Sequence, residues 1–136
     1  MSTVEVLVAT AEREVYRGKA DFLTAPGAAG ELGIMPKHTP LLAALNAGEL
    51  RIKRGEELDE VFISGGFIEV QPDFITILAD TAERASDVDE AAALDAERKA
   101  KEIVDNNTGD MDYARAASEL SIATARLAFL RKRKKQ

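Results

Sequence analysis

All four prolines and eight of the nine glycines of this 136-residue chain lie before residue 84, and Gly109 is the one later exception. These residues punctuate strands and interrupt helices, so their abrupt disappearance marks a change of architecture near Arg84. Before it, turn signals recur at short intervals: Arg17-Gly18, Pro26-Gly27, Gly30, Gly33, Asn46-Ala47-Gly48, Arg54-Gly55, Gly65-Gly66 and Pro72-Asp73. Between them Val4, Val6 and Val8 alternate with Thr3, Glu5 and Leu7. Leu50 and Ile52 alternate with Glu49, Arg51 and Lys53, and Val61 and Ile63 with Glu60 and Phe62. A period of two is the pattern of a half-buried strand, and Phe74–Ala79 is rich in the β-branched residues that strands favour. Strands about ten residues apart, with no helical crossover, predict an antiparallel β-sandwich or small barrel. With no Trp and 5% aromatics, its core must be aliphatic.

Beyond residue 84 the pattern becomes helical. Ser86-Asp87-Val88-Asp89-Glu90 offers capping residues, with Asp87 three before Glu90 in capping-box spacing. A helix to about Val104 would carry the stripe Val88, Ala92, Ala96, Ala100 and Ile103. Asn106–Asp110 reads as a turn with Asp110 capping a second helix, whose face holds Tyr113, Ala117, Leu120, Ala123 or Thr124, Leu127 and Leu130. The expected fold is therefore α+β: a sandwich over residues 1–84, then an antiparallel two-helix hairpin over 85–136. Burying a leucine contributes about 1.5–3 kcal/mol and a methyl group about 0.8, so an alanine-rich seam adheres weakly. Alanine is also the best helix former, so each helix keeps its conformation without the other. That combination suits a detachable element, and equally an ordinary alanine-rich hairpin.

Charge is segregated. Residues 1–84 hold 8 basic against 14 acidic residues, and residues 85–112 hold three against nine. Arg126–Gln136 holds six cations and no acid. Such a tail suits an acidic partner, or a solvated helix end whose cations sit at the negative pole of the helix dipole. The net charge of −6 argues against nucleic acid as a partner, which calls for a basic face. The absence of cysteine excludes disulfides and thiolate metal sites. The N-terminal MSTVEVLVATAERE lacks the apolar stretch of a signal peptide, and no apolar run approaches the roughly 20 residues of a membrane span.

Chemistry-bearing constellations are few. His38 is the only histidine and there is no cysteine, so Ser-His-Asp, Cys-His and multi-histidine metal sites are ruled out or very poor. Gly27-Ala28-Ala29-Gly30-Glu31-Leu32-Gly33 leads into Ile34-Met35-Pro36 rather than into a helix, so it reads as a tight turn between strands, not a phosphate cradle. Glu31 and His38 are expected close together in a Pro- and Gly-bounded loop beside Leu32, Ile34 and Met35. With no third group to orient them they make a poor acid/base pair, and loops more often carry recognition. A free-standing ligand-binding sandwich gated by the hairpin is the remaining alternative to a partner-binding protein.

Three stretches in order are specific: Gly30-Glu-Leu-Gly-Ile-Met-Pro-Lys-His-Thr-Pro-Leu-Leu42, Leu45-Asn-Ala-Gly-Glu-Leu-Arg-Ile52 and Ile63-Ser-Gly-Gly-Phe-Ile-Glu-Val70. With Ile75-Thr-Ile-Leu78, Ala82-Glu-Arg84 and the hairpin, they closely resemble the epsilon subunit of bacterial F-type ATP synthase over nearly the whole chain. The resemblance implies a non-catalytic central-stalk subunit with no cofactor or metal of its own. It would lie peripherally on the cytoplasmic face of the bacterial cell membrane, bound to the gamma subunit and the c ring. It would help couple proton-driven rotation to ATP synthesis. Its C-terminal helices would rise toward the alpha and beta subunits and inhibit ATP hydrolysis. By similarity Gly30–Leu42 faces the c ring, with Glu31 and His38 as polar contacts and Gly30 and Gly33 holding the loop's shape. Arg126, Arg131, Lys132 and Arg133 would meet an acidic segment of the beta subunit. Some family members bind ATP through Ile/Leu-Asp-x-x-Arg-Ala at the start of the first helix. Here Val88-Asp89-Glu90-Ala91-Ala92-Ala93 keeps the aspartate and places Ala92 where the arginine belongs. Asp89, Arg98 and Arg126 are what remains of such a site, so ATP binding is expected to be weak or absent.

Overall fold

The computed structural model describes residues 2–106 and 110–134. Ten strands come first: β1 Val4–Ala9, β2 Glu14–Ala20, β3 Phe22–Gly27, β4 Gly30–Ile34, β5 Leu41–Leu45, β6 Gly48–Arg54, β7 Glu57–Ile63, β8 Gly66–Val70, β9 Phe74–Ala79 and β10 Ala82–Arg84. They pair in the order β10-β7-β6-β3-β5-β8-β9-β1-β2, with β4 on β3. The path turns between β3 and β5, where a single pair, Gly27 with Leu45, joins two layers. The inward-pointing valines, leucines and isoleucines of both layers form one aliphatic cluster. Val6, Val8, Leu23, Leu50, Ile63, Ile68, Ile75 and Ile77 are all fully buried in it. The expected sandwich and aliphatic core are thus both present.

One pairing departs from the all-antiparallel expectation. β1 runs parallel to β9, with Val6 opposite Ile75 and Val8 opposite Ile77. Parallel neighbours need a long connection, and the sixty-odd residues between these strands supply it. Adjacent hydrophobic patterns reveal hairpins, but they do not reveal such long-range closure.

The two ends of the path, β10 and β2, are fastened by side chains. Arg84 Nε donates to the Val15 carbonyl at 3.4 Å, and the guanidinium lies 5.6 Å from the Tyr16 ring centroid. Partial burial pushes the Tyr16 phenol above its ordinary value, and the nearby Asp59 carboxylate, which accepts its hydrogen bond, pushes the same way. Arg84 and Arg54 oppose the shift.

The first compact unit ends at Ala85 and the second begins at Ser86. A 3-10 turn, Ala85–Asp87, spans this boundary, and the second unit continues with α1 Glu90–Asn106 and α2 Asp110–Lys134. The N-cap is Asp89, not Asp87: its Oδ1 accepts from the Ala92 amide at 3.1 Å, and Asp87 is taken up in the 3-10 turn. Asn107–Gly109, the centre of the expected turn, lie outside the described residues, as does the Asp110 side chain.

The seam of the hairpin departs from the expected stripe on α1, where of the expected alanines only Ala100 is buried, and keeps most of the expected stripe on α2. Ala93 and Ala100 are buried on α1, with Glu97 and Val104 half-buried in the same stripe. Ala92 and Ala96 are exposed, and Ile103 is 38% exposed. On α2 the expected Ala123 and Leu127 are buried with Ala116, Phe129 is buried about 200° around the helix from Leu127, and Tyr113 is 42% exposed. Alanine occupies so many positions of α1 that periodicity does not select a face. A stripe through Ala92, Ala96 and Ile103 would bring Lys99 into the seam. The stripe that forms brings Glu97 instead and leaves Lys99 in the open, paired with Asp95. Asp95 also pairs with Arg98, Arg98 with Glu102, and on α2 Arg115 with Glu119. Each of these pairs lies within one helix.

Candidate functional surfaces

The alternation that buries one face of a strand places its neighbours outside, and in the layer β5-β8-β9-β1 one row of those neighbours is apolar, beside a row that holds Glu69 and Thr76. Leu42 is 70% exposed, Phe67 59% and Leu78 58%. The register puts them in rows: Ala44 is opposite Phe67, Phe67 opposite Leu78, and Leu78 opposite Ala9. An open row of this kind across four strands is the mark of a protein-docking surface. Sequence reasoning passed over it. Its signal is present in Phe74–Ala79, where Phe74 and Leu78 flank Thr76 on the face opposite the isoleucines, so that the outward face of β9 is largely apolar.

Gly30, Glu31, Gly33 and His38 do not form one loop. β3 and β4 pair from Leu23–Ile34 to a tip at Gly27–Gly30, a turn that only glycine fits: a Cβ on Gly27 would strike the Gly30 carbonyl, and Gly30 has φ +137°. The Ala28 amide donates to Ala44 at 2.9 Å and the Asn46 amide to Pro26 at 2.8 Å, which ties the tip to β5. Glu31 and Gly33 are exposed on β4, one beside the tip and the other beside Phe22, whose ring would lie 3.1 Å from a Cβ there. His38 lies beyond the far end of β4, whose five residues span on the order of 13 Å. It is half-buried, its Nδ1 is 2.7 Å from the Thr39 carbonyl, and the adjacent Lys37, at φ 65°, donates its amide to Pro72 at 2.7 Å. Glu31 and His38 therefore occupy opposite ends of β4, because backbone pairing with β3 extends a glycine-rich stretch that reads as loop. β4 pairs with β3 alone and leaves its other edge open.

In the second unit, Arg131 and Lys132 are exposed, Arg126 is half-buried, and the Arg133 side chain lies outside the described residues. Five residues of helix turn through roughly 500°, so Arg126 and Arg131 point about 140° apart. Asp89 is occupied as the cap of α1. Arg98, nine residues on, falls roughly on the opposite side of α1 and is held by Asp95 and Glu102. Those two carboxylates raise the Arg98 pKa, and Lys99 and Arg98 hold the Asp95 carboxyl below its ordinary value. Asp89 and Arg98 thus do not converge on a phosphate. Calorimetry of the full chain with ATP is expected to give a Kd weaker than roughly 1 mM, about −4 kcal/mol of binding; a micromolar constant would refute it. No group of three or more His, Asp or Glu suited to a metal occurs among the described residues, and none of their helices is long and apolar enough to cross a membrane.

A family described as ATP synthase, Delta/Epsilon chain, beta-sandwich domain matches residues 3–85, and its long alpha-helix domain matches residues 86–130. The ATP synthase epsilon chain of Nitrosomonas eutropha is 51% identical over 130 residues, covering 95% of this chain and 93% of that one. The ATP synthase epsilon chain of Nitrosococcus oceani is 47% identical over 135 residues, covering 98% and 96%. Among solved structures, a chain of the Euglena gracilis mitochondrial ATP synthase, OSCP/F1/c-ring in rotational state 1, shares the fold with a TM-score of 0.84 at 19% identity. That match covers 94% of this chain and 81% of that one. A chain of the Tetrahymena thermophila mitochondrial ATP synthase central stalk/c-ring gives 0.61 at 20% identity, covering 95% and 97%. With both domains matched in series and about half the residues identical over nearly its full length, the chain belongs to the ATP synthase delta/epsilon chain family.

Proposed function

We propose that this chain is the epsilon subunit of a proton-driven rotary ATP synthase: a non-catalytic piece of the central stalk, bound to gamma and the c ring, with a hairpin that restrains ATP hydrolysis. It would reach the cytoplasmic face of the cell membrane through the complex alone. The observation that carries the reading is the open apolar row of Phe67 and Leu78 with Leu42 beside it. In a family of assembly subunits, such a face fits a permanent partner, since lasting interfaces are the more apolar ones. We assign it to gamma. The polar Glu31 end and the His38 end are left to the c ring, so a contact using both would run along the open edge of β4. Arg126, Arg131, Lys132 and Arg133 give the raised hairpin its attraction for an acidic segment of beta, an attraction that salt weakens.

One reconstitution tests the reading. Complexes lacking epsilon are supplied with the full chain, with Phe67→Asp, or with a chain ending at Ala85, and subunit retention and ATP hydrolysis are measured. Burying a charged carboxylate without a partner is strongly unfavourable, so Phe67→Asp is expected to weaken retention by at least about 100-fold. The shortened chain is expected to remain bound while hydrolysis rises. Retention of Phe67→Asp at wild-type affinity would remove the gamma assignment, and unchanged hydrolysis with the shortened chain would remove the inhibitory one.

A further inference from the structure

Among the described residues two half-buried glutamates lie along the seam stripe of α1, Glu90 at its start and Glu97 between buried alanines. Glu97 lies in the stripe Ala93, Glu97, Ala100, Val104, at spacings of four, three and four that keep all four on one side of α1. It is half-buried between two buried alanines, and its hydrogen bond crosses the seam: Thr124 Oγ1 donates to Glu97 Oε2 at 3.4 Å, near the long limit for such a bond. The surface ion pairs described above remain within α1 or within α2, so they survive separation of the helices and oppose it little. What must be broken on parting includes alanine packing, the packing of Leu127 and this bond.

We infer that Glu97 is the release point of the hairpin: a positioning residue that fixes the register of α1 on α2 through Thr124 while keeping the seam weak enough to part. A polar residue at one seam position specifies register and reduces adhesion, because it must be partly stripped of water whenever the seam closes. A weakly bonded carboxylate carries a larger penalty than a neutral side chain in the same place. When the helices part, Glu97 regains its full hydration, and that gain offsets part of the lost packing. The same site filled by a neutral group would close more tightly. This inference rests on the hairpin's parting in service.

The test is amide hydrogen exchange on the full chain alone, so its failure leaves the reconstitution untouched. Glu97→Gln keeps the shape, the helix preference and the acceptor for Thr124 while removing the charge. It is expected to slow exchange at Ala100, Val104, Ala116 and Ala123 by at least about fivefold, through rarer opening. Glu97→Leu should act in the same direction. Thr124→Val, which strands the carboxylate, should speed exchange. Glu102→Gln, the same change on the exposed side of α1, should not slow it. If Glu97 were merely a structural clasp, Glu97→Gln would speed exchange or leave it unchanged; either result overturns the inference.

Discussion

Ile77→Ala is expected to lower the unfolding free energy of the sandwich by about 3–4 kcal/mol, while Leu78→Ala, one residue further, lowers it by less than about 0.5. Ile77 is fully buried and lies between Ile68 on β8 and Val8 on β1, so removing its outer carbons leaves a cavity surrounded by branched side chains that fill it poorly. Leu78 is 58% exposed on the opposite face, where water fills the space at once. Domains of this size have total stabilities of about 5–15 kcal/mol, so the first change removes a large fraction and the second almost none. Urea titration of both variants decides the matter. Equal losses would mean that β9 presents both side chains to the interior, contradicting its register. A larger loss at Leu78 would mean that the strand is turned over, since a one-residue slip exchanges its faces.

That contrast also marks what was legible in the sequence. Val4, Val6, Val8, Leu50 and Ile52 are each at most 1% exposed, in keeping with their period-two pattern, whereas in β7 the buried Val61 and Ile63 alternate with Glu60 and Phe62 that are buried as well. The change from strands to helices near Arg84 was readable because glycine and proline vanish there. Three things were not. The parallel contact of β1 with β9 is set by closure of the sandwich and leaves no local trace. The side of α1 that forms the seam was hidden by alanine itself, since residues 91, 92, 93, 96 and 100 are all small and only a partner selects among them. The separation of Glu31 from His38 was obscured because Gly30–Ile34 has weak intrinsic strand preference and is extended by its pairing with β3. The functional surfaces follow the same division. Motifs pointed to the Gly27–Gly30 tip and the cationic tail, whereas the apolar row of Phe67 and Leu78 emerges only when strands distant in sequence are laid side by side.

Gly66→Ala is expected to be the most damaging small change in the chain, at about 3 kcal/mol or more, against about 1 kcal/mol for Gly55→Ala. Both glycines have positive φ, +142° and +60° respectively, so the comparison separates backbone strain from crowding. Nothing lies within 4 Å of a Cβ built on Gly55, and its alanine variant meets only the ordinary penalty of the left-handed region. Gly66 differs in two respects. Its φ belongs to a region that residues with side chains rarely enter, and its Cβ would strike the Leu78 carbonyl and come within 2.8 Å of the Ala79 Cα. Those atoms are backbone of β9, so they cannot swing aside as a flexible side chain would. Gly66 also pairs with Leu45 on one side and Ala79 on the other, so any shift disturbs both ladders. The neighbouring turns share the damage, because the Asp80 amide donates to Gly65 at 2.9 Å and Thr81 Oγ1 donates to Ser64 at 2.8 Å. For a unit of about 85 residues, 3 kcal/mol corresponds to a fall in Tm of roughly 12–24 °C, easily resolved by calorimetry from the few degrees expected for Gly55→Ala. Equal shifts in the two variants would show that β8 and β9 yield at this point, and that the close approach of their backbones is not what requires glycine there.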